Sequence, residues 1–297
     1  MMMLKIIKKK LRKFLDEKWL IPRAFEKTKN LKIMNSTESV RYIIEHKCSL
    51  SRFGDGELDS IQGLGGEYQH PSPRLSAMLL ECLQSNLPNH KVAIPYYLNH
   101  YVGKPKQGFW TSYVVSHHKY FMQWLSFDKV YLDTQLTRFY YEQKDKSKCA
   151  EHIALIKQIW DGRNIVIIEG SQTCSGVGND LYGNAKSIQR ILGPKLSGFS
   201  KYDEIHDYVI KNISKDKLIL LCFGITATVL AYELSKLGYQ AIDIGHLDIE
   251  YEWFRMGAKE RVAINGKFTN EANDGHSPKT CADHQYLSQI IADFSNN

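Results

Sequence analysis

Two carboxylates separated by one glycine, Asp55-Gly56-Glu57, are the residues of this 297-residue chain best placed to do chemistry. They follow Ser49-Leu50-Ser51-Arg52-Phe53-Gly54, a short run that alternates into apolar residues and stops at glycine, so both acids stand where a strand would end. Hard oxygen ligands on a backbone that can turn tightly suit an octahedral divalent ion, Mn²⁺ or Mg²⁺, that also holds phosphate oxygens. Asp55 and Glu57 are therefore candidate metal ligands and catalytic groups, and Arg52 and Gly54 beside them are candidate phosphate contacts. Taken alone, Asp-Gly is first of all a turn signal, and the motif gains weight only from the rest of the chain.

Three further stretches carry residues of the right kind. His246-Leu247-Asp248-Ile249-Glu250-Tyr251-Glu252 supplies a histidine and three acids directly after an apolar run. His246 is a candidate third metal ligand or general base and Glu250 a candidate base, against the bland reading of a satisfied histidine and surface acids. Gly224-Ile225-Thr226-Ala227-Thr228 opens a helix, where free backbone N–H groups and the hydroxyls of Thr226 and Thr228 favour a phosphate. The glycine-rich loop 170–180 lacks both the Walker lysine-Ser/Thr ending and the closely spaced dinucleotide fingerprint. A nucleotide held there is held by neither route, with Glu169, Gly176, Gly178 and Asn179 as the candidate contacts.

The elements that position these residues follow from pattern. Buried-type runs at Asn164–Glu169, Leu218–Phe223 and Ala241–Ile244 each end in a glycine turn or polar loop, and the second is followed by an apolar helix closed by Gly238. Strand, glycine turn, helix, strand is the parallel crossover unit, so the expected class is a doubly wound α/β sheet. Upstream, a capped helix over Val40, Ile43 and Ile44 leads into the Arg52 strand, Pro73 opens a helix, and Lys91–Pro95 and Lys129–Leu132 read as strands. Ligands of such sheets bind beyond the carboxyl ends of strands, which predicts that the loops after Phe53, Glu169, Phe223 and Ile244 share one edge.

Composition bounds the function. A chain that is 43% hydrophobic and 24% charged is ordinary globular material. Its six cysteines (48, 82, 149, 174, 222 and 281) show no close pairing and suggest neither zinc nor a disulfide framework. The net charge of +7 is concentrated in residues 1–32, where eleven basic residues face three acids, so the body is near neutral and no nucleic-acid groove is expected. Within that segment Leu4, Ile7, Leu11, Phe14 and Leu15 recur at helical spacing among lysines. That is the pattern of a helix lying on an anionic membrane surface, with a solvated helix or frayed terminus as the alternative. Pro22 is expected to end this segment, giving a basic amphipathic stretch over 1–34 and a catalytic domain over 35–297. The expected location is cytoplasmic, peripheral at the inner face of the membrane through residues 1–22.

Several blocks also resemble a known family. Arg52–Glu57, Glu169-Gly170 through Leu181 with Asn184–Ile188, and Gly224–Leu230 followed by Gly245–Trp253 are similar to the GT-D glycosyltransferases, a bacterial group first catalogued as a domain of unknown function. The similarity runs in motif order over roughly residues 36–270. It implies a Rossmann-like domain that takes glucose or a related hexose such as galactose from a UDP-sugar, using a divalent metal and an Asp-x-Glu motif that falls on Asp55 and Glu57. It implies as acceptors surface glycoprotein glycans or polysaccharide intermediates, and the basic N-terminal segment suits a lipid-linked saccharide in capsule or related assembly. Two other classes stand beside this: a different nucleotide-dependent transferase on the same sheet, and a non-catalytic sugar-nucleotide-binding partner, which would be expected to have lost the paired carboxylates.

Overall fold

The strands are the segments whose backbone and side chains both find partners in a layered sheet. In the computed structural model, residues 19–100, 108–143, 145–276, 278 and 281–296 are described. Nine strands, β1 (Lys32–Ile33), β2 (Ser49–Arg52), β3 (His90–Ile94), β4 (Val130–Asp133), β5 (Asn164–Gly170), β6 (Ser187–Gly193), β7 (Leu218–Cys222), β8 (Gln240–Asp243) and β9 (Ile290–Asp293), form one sheet. Their order is β1-β4-β3-β2-β8-β7-β5-β6-β9 and every pairing is parallel. This is the doubly wound α/β class that the crossover pattern predicts.

Alternation along the strands divides the core in two. Val166, Ile168, Ile219 and Leu221 point into one cluster, and Ile165, Ile167, Leu218 and Leu220 into the other. All eight are fully buried, which is why β5 and β7 read as unbroken apolar runs. One face is covered by helices that include α4 (Pro73–Gln84), α5 (Gly108–Trp124), α7 (Tyr202–Asn212) and α8 (Ile225–Lys236). The other is covered by α2 (Ser36–His46), α6 (Cys149–Lys157) and α9 (Leu247–Met256). A capping box between Asn35 and Glu38 starts α2.

The halves β1–β4 and β5–β9 meet where β2 runs beside β8, and that seam is short. Its ladder register is the single pair Leu50↔Ile242. Side chains close the rest: Ser49 Oγ accepts from Ala241 N–H at 3.0 Å and donates to the Tyr239 carbonyl at 3.1 Å. At the other end of the seam Arg52 bonds Asp243.

Several elements were not anticipated from pattern, among them helix α9 and the short helices over Asp55–Ile61 and His284–Ser288. Strands β6 and β9 carry Gln189, Arg190 or Asp293 among their apolar residues, which hides the alternation, and β1 and helix α7 were likewise unread. The N-terminal boundary also differs. Pro22 lies in the first turn of a helix, α1 (Ile21–Thr28), where its missing N–H costs nothing, rather than closing the segment before it. Ile21, Ala24 and Thr28 are buried, and Thr28 Oγ1 donates to the Leu98 carbonyl at 2.6 Å. The folded body therefore takes in residues ahead of Asn35. The amphipathic pattern of residues 4–15 lies outside the described residues. Among those described, no helix is long and apolar enough to cross a membrane.

Candidate active site

The seam between the two half-sheets opens, at the carboxyl ends of the strands, into a cleft of about 680 Å³. Loops after β2, β4, β5, β6, β7 and β8 all reach it, so the four loops expected to share an edge do so. Asp55, Glu57, Lys195, Gly224, His246 and Glu271 are among its walls.

The acidic motif forms the first turn of a short helix, α3 (Asp55–Ile61). Glu57 turns back so that Oε2 accepts the Gly54 N–H at 2.7 Å, the carboxylate half of a capping box. Asp55 is exposed and its carboxylate has no hydrogen-bond or ionic partner among the described residues. A Cβ on Gly56 would lie 3.4 Å from Ile225 Cδ1, so the acid-bearing turn rests against the turn after β7. Burial pushes the Glu57 carboxyl up to about 7, and Asp243 and Asp55 add to the rise while the Gly54 N–H opposes it. Two oxygen-donor side chains, one of them pushed toward protonation by burial and by its acidic neighbours, fit a hard divalent cation that takes its other ligands from water and phosphate. Among the described residues no group of three or more His, Cys, Asp or Glu side chains has metal-binding geometry, so His246 does not complete a set with the pair.

Arg52 is spent on structure. Its Nε donates to the Asp243 carbonyl (3.0 Å), Nη1 to the Thr134 carbonyl (3.2 Å) and Thr137 Oγ1 (2.9 Å), and Nη2 to Asp243 Oδ1 (3.1 Å). Four of its five N–H groups therefore tie β2, β8 and the loop after β4 together, and the phosphate role expected of it has at most one hydrogen left.

A charged lattice forms the opposite wall. Arg138 is ion-paired to Glu271, lies 3.8 Å from Glu250 Oε1, and donates from Nη2 to His246 Nδ1 at 3.0 Å. Arg261 bridges Glu271 (3.1 Å) and Glu142 (3.0 Å). Since a guanidinium only donates, His246 Nδ1 accepts and its proton resides on Nε2. Burial and the Arg138 charge hold the imidazole well down, at about 4, so it is neutral at physiological pH. Burial works against the Glu271 carboxyl, but the Arg138 and Arg261 guanidiniums hold it below the ordinary range.

Helix α9 explains why the three acids after His246 do not act together. Asp248 and Glu252, four residues apart, share a face and meet the buried Lys267 at 2.7 and 3.0 Å. Glu250 points elsewhere: it is fully buried and its Oε2 accepts the Tyr140 and Tyr141 N–H groups at 2.9 and 2.8 Å. It does not line the cleft, and neither do Thr226 and Thr228, both fully buried. Thr228 Oγ1 donates to the Arg52 carbonyl at 3.1 Å, so it braces the acidic strand from beneath. Glu169 is buried against Arg190 at 2.6 Å and accepts the Ser175 N–H. Gly176, Gly178 and Asn179 face a separate, open depression of about 850 Å³. Gly176 N–H and Asn179 Nδ2 bond Asp248 at 2.9 and 2.7 Å. From the loop 170–180 it is Gly170 and Thr173 that reach the cleft. The residues that sequence reasoning missed, Asp243, Arg138, Glu271 and Lys195, are single charged residues at strand ends or in irregular segments. Only Asp243, an acid closing an apolar strand, carried a local signal.

Comparison with known proteins follows the same outline. A family described as the glycosyltransferase GT-D fold matches residues 50–272. The chain is 35% identical over 272 residues to the probable glycosyl transferase Gly of Streptococcus gordonii, covering 90% of this chain and 39% of that protein. It is 36% identical over 269 residues to glycosyltransferase GlyD of Streptococcus pneumoniae, covering 90% and 33%. The chain thus spans between a third and two fifths of the length of these relatives. Among solved structures it is similar to a domain of unknown function 1792 described as having a distinct glycosyltransferase fold, with a TM-score of 0.86 at 33% identity over 92% of this chain and 99% of that one. It is also similar to a new glycosyltransferase of the same domain type from Streptococcus sanguinis, with a TM-score of 0.82 at 34% identity over 89% and 99%.

Proposed function

Because the chain belongs to the GT-D glycosyltransferase family, we propose that its cleft binds a UDP-hexose, UDP-glucose or UDP-galactose, and transfers the hexose to a hydroxyl of a cell-surface glycan or lipid-linked saccharide. The observation that carries this reading is the placement of two carboxylates without cationic partners among the described residues, Asp55 and Glu57, against the Gly224–Ile225 turn in a cleft of about 680 Å³. That volume falls within the usual range for small-molecule sites. A Mn²⁺ or Mg²⁺ held by Asp55 and Glu57 would supply positive charge to a departing diphosphate without a proton transfer.

The chain's own groups do the rest. The turn after β7 offers backbone N–H groups at the start of α8 for phosphate oxygens. His246, neutral with its proton on Nε2, donates a hydrogen bond to a sugar hydroxyl and does not act as the base. The Arg138–Glu271–Arg261 lattice fixes that imidazole and forms a rigid polar wall. Incubating the protein with each UDP-sugar and Mn²⁺, and following UDP release with and without a saccharide acceptor, tests the reading. Failure of every UDP-sugar to release UDP, while another nucleotide donor does so, would overturn it.

A further inference from the structure

Sorting the charged groups of the cleft by partner leaves an imbalance between its two sides. Arg52 is paired with Asp243, Arg138 with Glu271, Arg261 with Glu271 and Glu142, and Asp248 with Lys267. Among the described residues that line the cleft, what remains is Asp55 and Glu57 just past β2, and one ammonium, Lys195, just past β6. Lys195 Nζ donates to the His276 carbonyl at 3.3 Å and lies 5.6 Å from the centre of the Phe268 ring. Its backbone sits beside the loop after β5, where a Cβ on Gly170 would be 3.6 Å from Lys195 Cα.

The sheet order places these two sides symmetrically. Across β2-β8-β7-β5-β6, the loop after β7 is the midpoint, two strands or about 10 Å from either flank. That loop touches both. Ile225 meets the acidic turn at Gly56, and the Phe223 ring lies over Gly193 and Gly198, where added Cβ atoms would come within 2.3 and 2.7 Å of Cζ. A phosphate over this loop has the carboxylates to one side and, on the other, a flexible four-carbon stem long enough to bring an ammonium to it.

We propose that Lys195 holds the donor's diphosphate from the side opposite Asp55 and Glu57. The proposal rests on the sugar-nucleotide reading above and deepens it. The ammonium donates to a phosphate oxygen as a point charge, exchanging the neutral His276 carbonyl for an anion. Without a divalent ion Lys195 is, among the described residues, the cation in the cleft not already committed to a carboxylate, so metal-free binding of a nucleoside diphosphate depends on it most.

Calorimetric titration of the full chain in EDTA, with UDP and with uridine, tests this on the wild type, Lys195→Met and Lys195→Arg. The wild type is expected to hold UDP more tightly than uridine. Lys195→Met should weaken UDP by roughly tenfold or more, the scale of one charge-assisted hydrogen bond, and leave uridine unchanged, while Lys195→Arg retains most of the UDP affinity. Equal UDP affinity in Lys195→Met and wild type, or a matching loss for uridine, overturns the role of Lys195 alone. A wild type that holds UDP no tighter than uridine in EDTA overturns the role of Lys195, and one that does so in Mn²⁺ as well overturns the sugar-nucleotide reading with it.

Discussion

The guanidinium of Arg52 fills the space that Gly245 leaves by having no side chain: a Cβ there would lie 1.6 Å from Nη2. Gly245 also has φ of +48°, in the region where other residues are strained. Both constraints act on one contact, the pairing of Arg52 with the buried Asp243 at the seam of the sheet.

Gly245→Ala should therefore be costly. Displacing the guanidinium leaves Asp243 buried without its partner, a loss of about 3–5 kcal/mol for buried pairs, and the backbone strain adds to it. Urea unfolding measures this, and an unchanged midpoint would mean that Arg52 moves aside freely.

Asp55→Asn should separate function from folding. The side chain is exposed and unbonded among the described residues, so stability should stay within about 0.5 kcal/mol. Transfer activity should fall by about 100-fold or more if the carboxylate holds the ion against a leaving diphosphate. Near-wild-type turnover at limiting Mn²⁺ would remove Asp55 from the mechanism.

Glu57 carries a pH signature. Its folded carboxyl is raised from 4.5 to about 7, so between those values the folded state holds the proton that the unfolded state has lost. Stability consequently declines as pH rises through this window and levels off above it. Glu57→Gln should flatten that decline and be more stable than wild type at pH 8, since the amide oxygen can still accept the Gly54 N–H. Its activity should nonetheless drop. Thermal melts of both proteins from pH 5 to 8 check the sign, and parallel curves would refute it.

His246 titrates in the opposite sense. Its folded value is lowered from 6.5 to about 4, so its contribution to stability is fully present above 6.5 and is lost as pH falls toward 4. The imidazole should show no titration between pH 5.5 and 8 by NMR, and the rate profile should carry no histidine limb there. A midpoint near 6.5 would show that Arg138 does not hold it neutral.

Much of the sheet was legible because β5 and β7 are buried on both faces and so are apolar throughout, and because glycines mark their carboxyl ends. The acidic turn was legible for the same reason: a strand had to end at Gly54. What was not legible depends on helical phase and on distant charge. The three acids after His246 look like one cluster in the chain, but α9 turns Glu250 away from Asp248 and Glu252. Thr226 and Thr228 look like phosphate ligands, yet both are buried beneath the turn. Arg138, Glu271 and Arg261 lie far apart in sequence and acquire meaning only where the fold brings them together.

The narrow join at Leu50 and Ile242 has a mechanical consequence. A fastening made largely from the side chains of Ser49, Gln240 and Arg52, with α8 laid across it, is more compliant than a full run of ladder bonds, so the two halves of the body are expected to breathe about it. Any molecule lodged in the cleft grips loops from both halves and works as a clasp. Occupancy should then slow amide exchange in β2 and β8 more than in β5, although β5 runs through the middle of its own half.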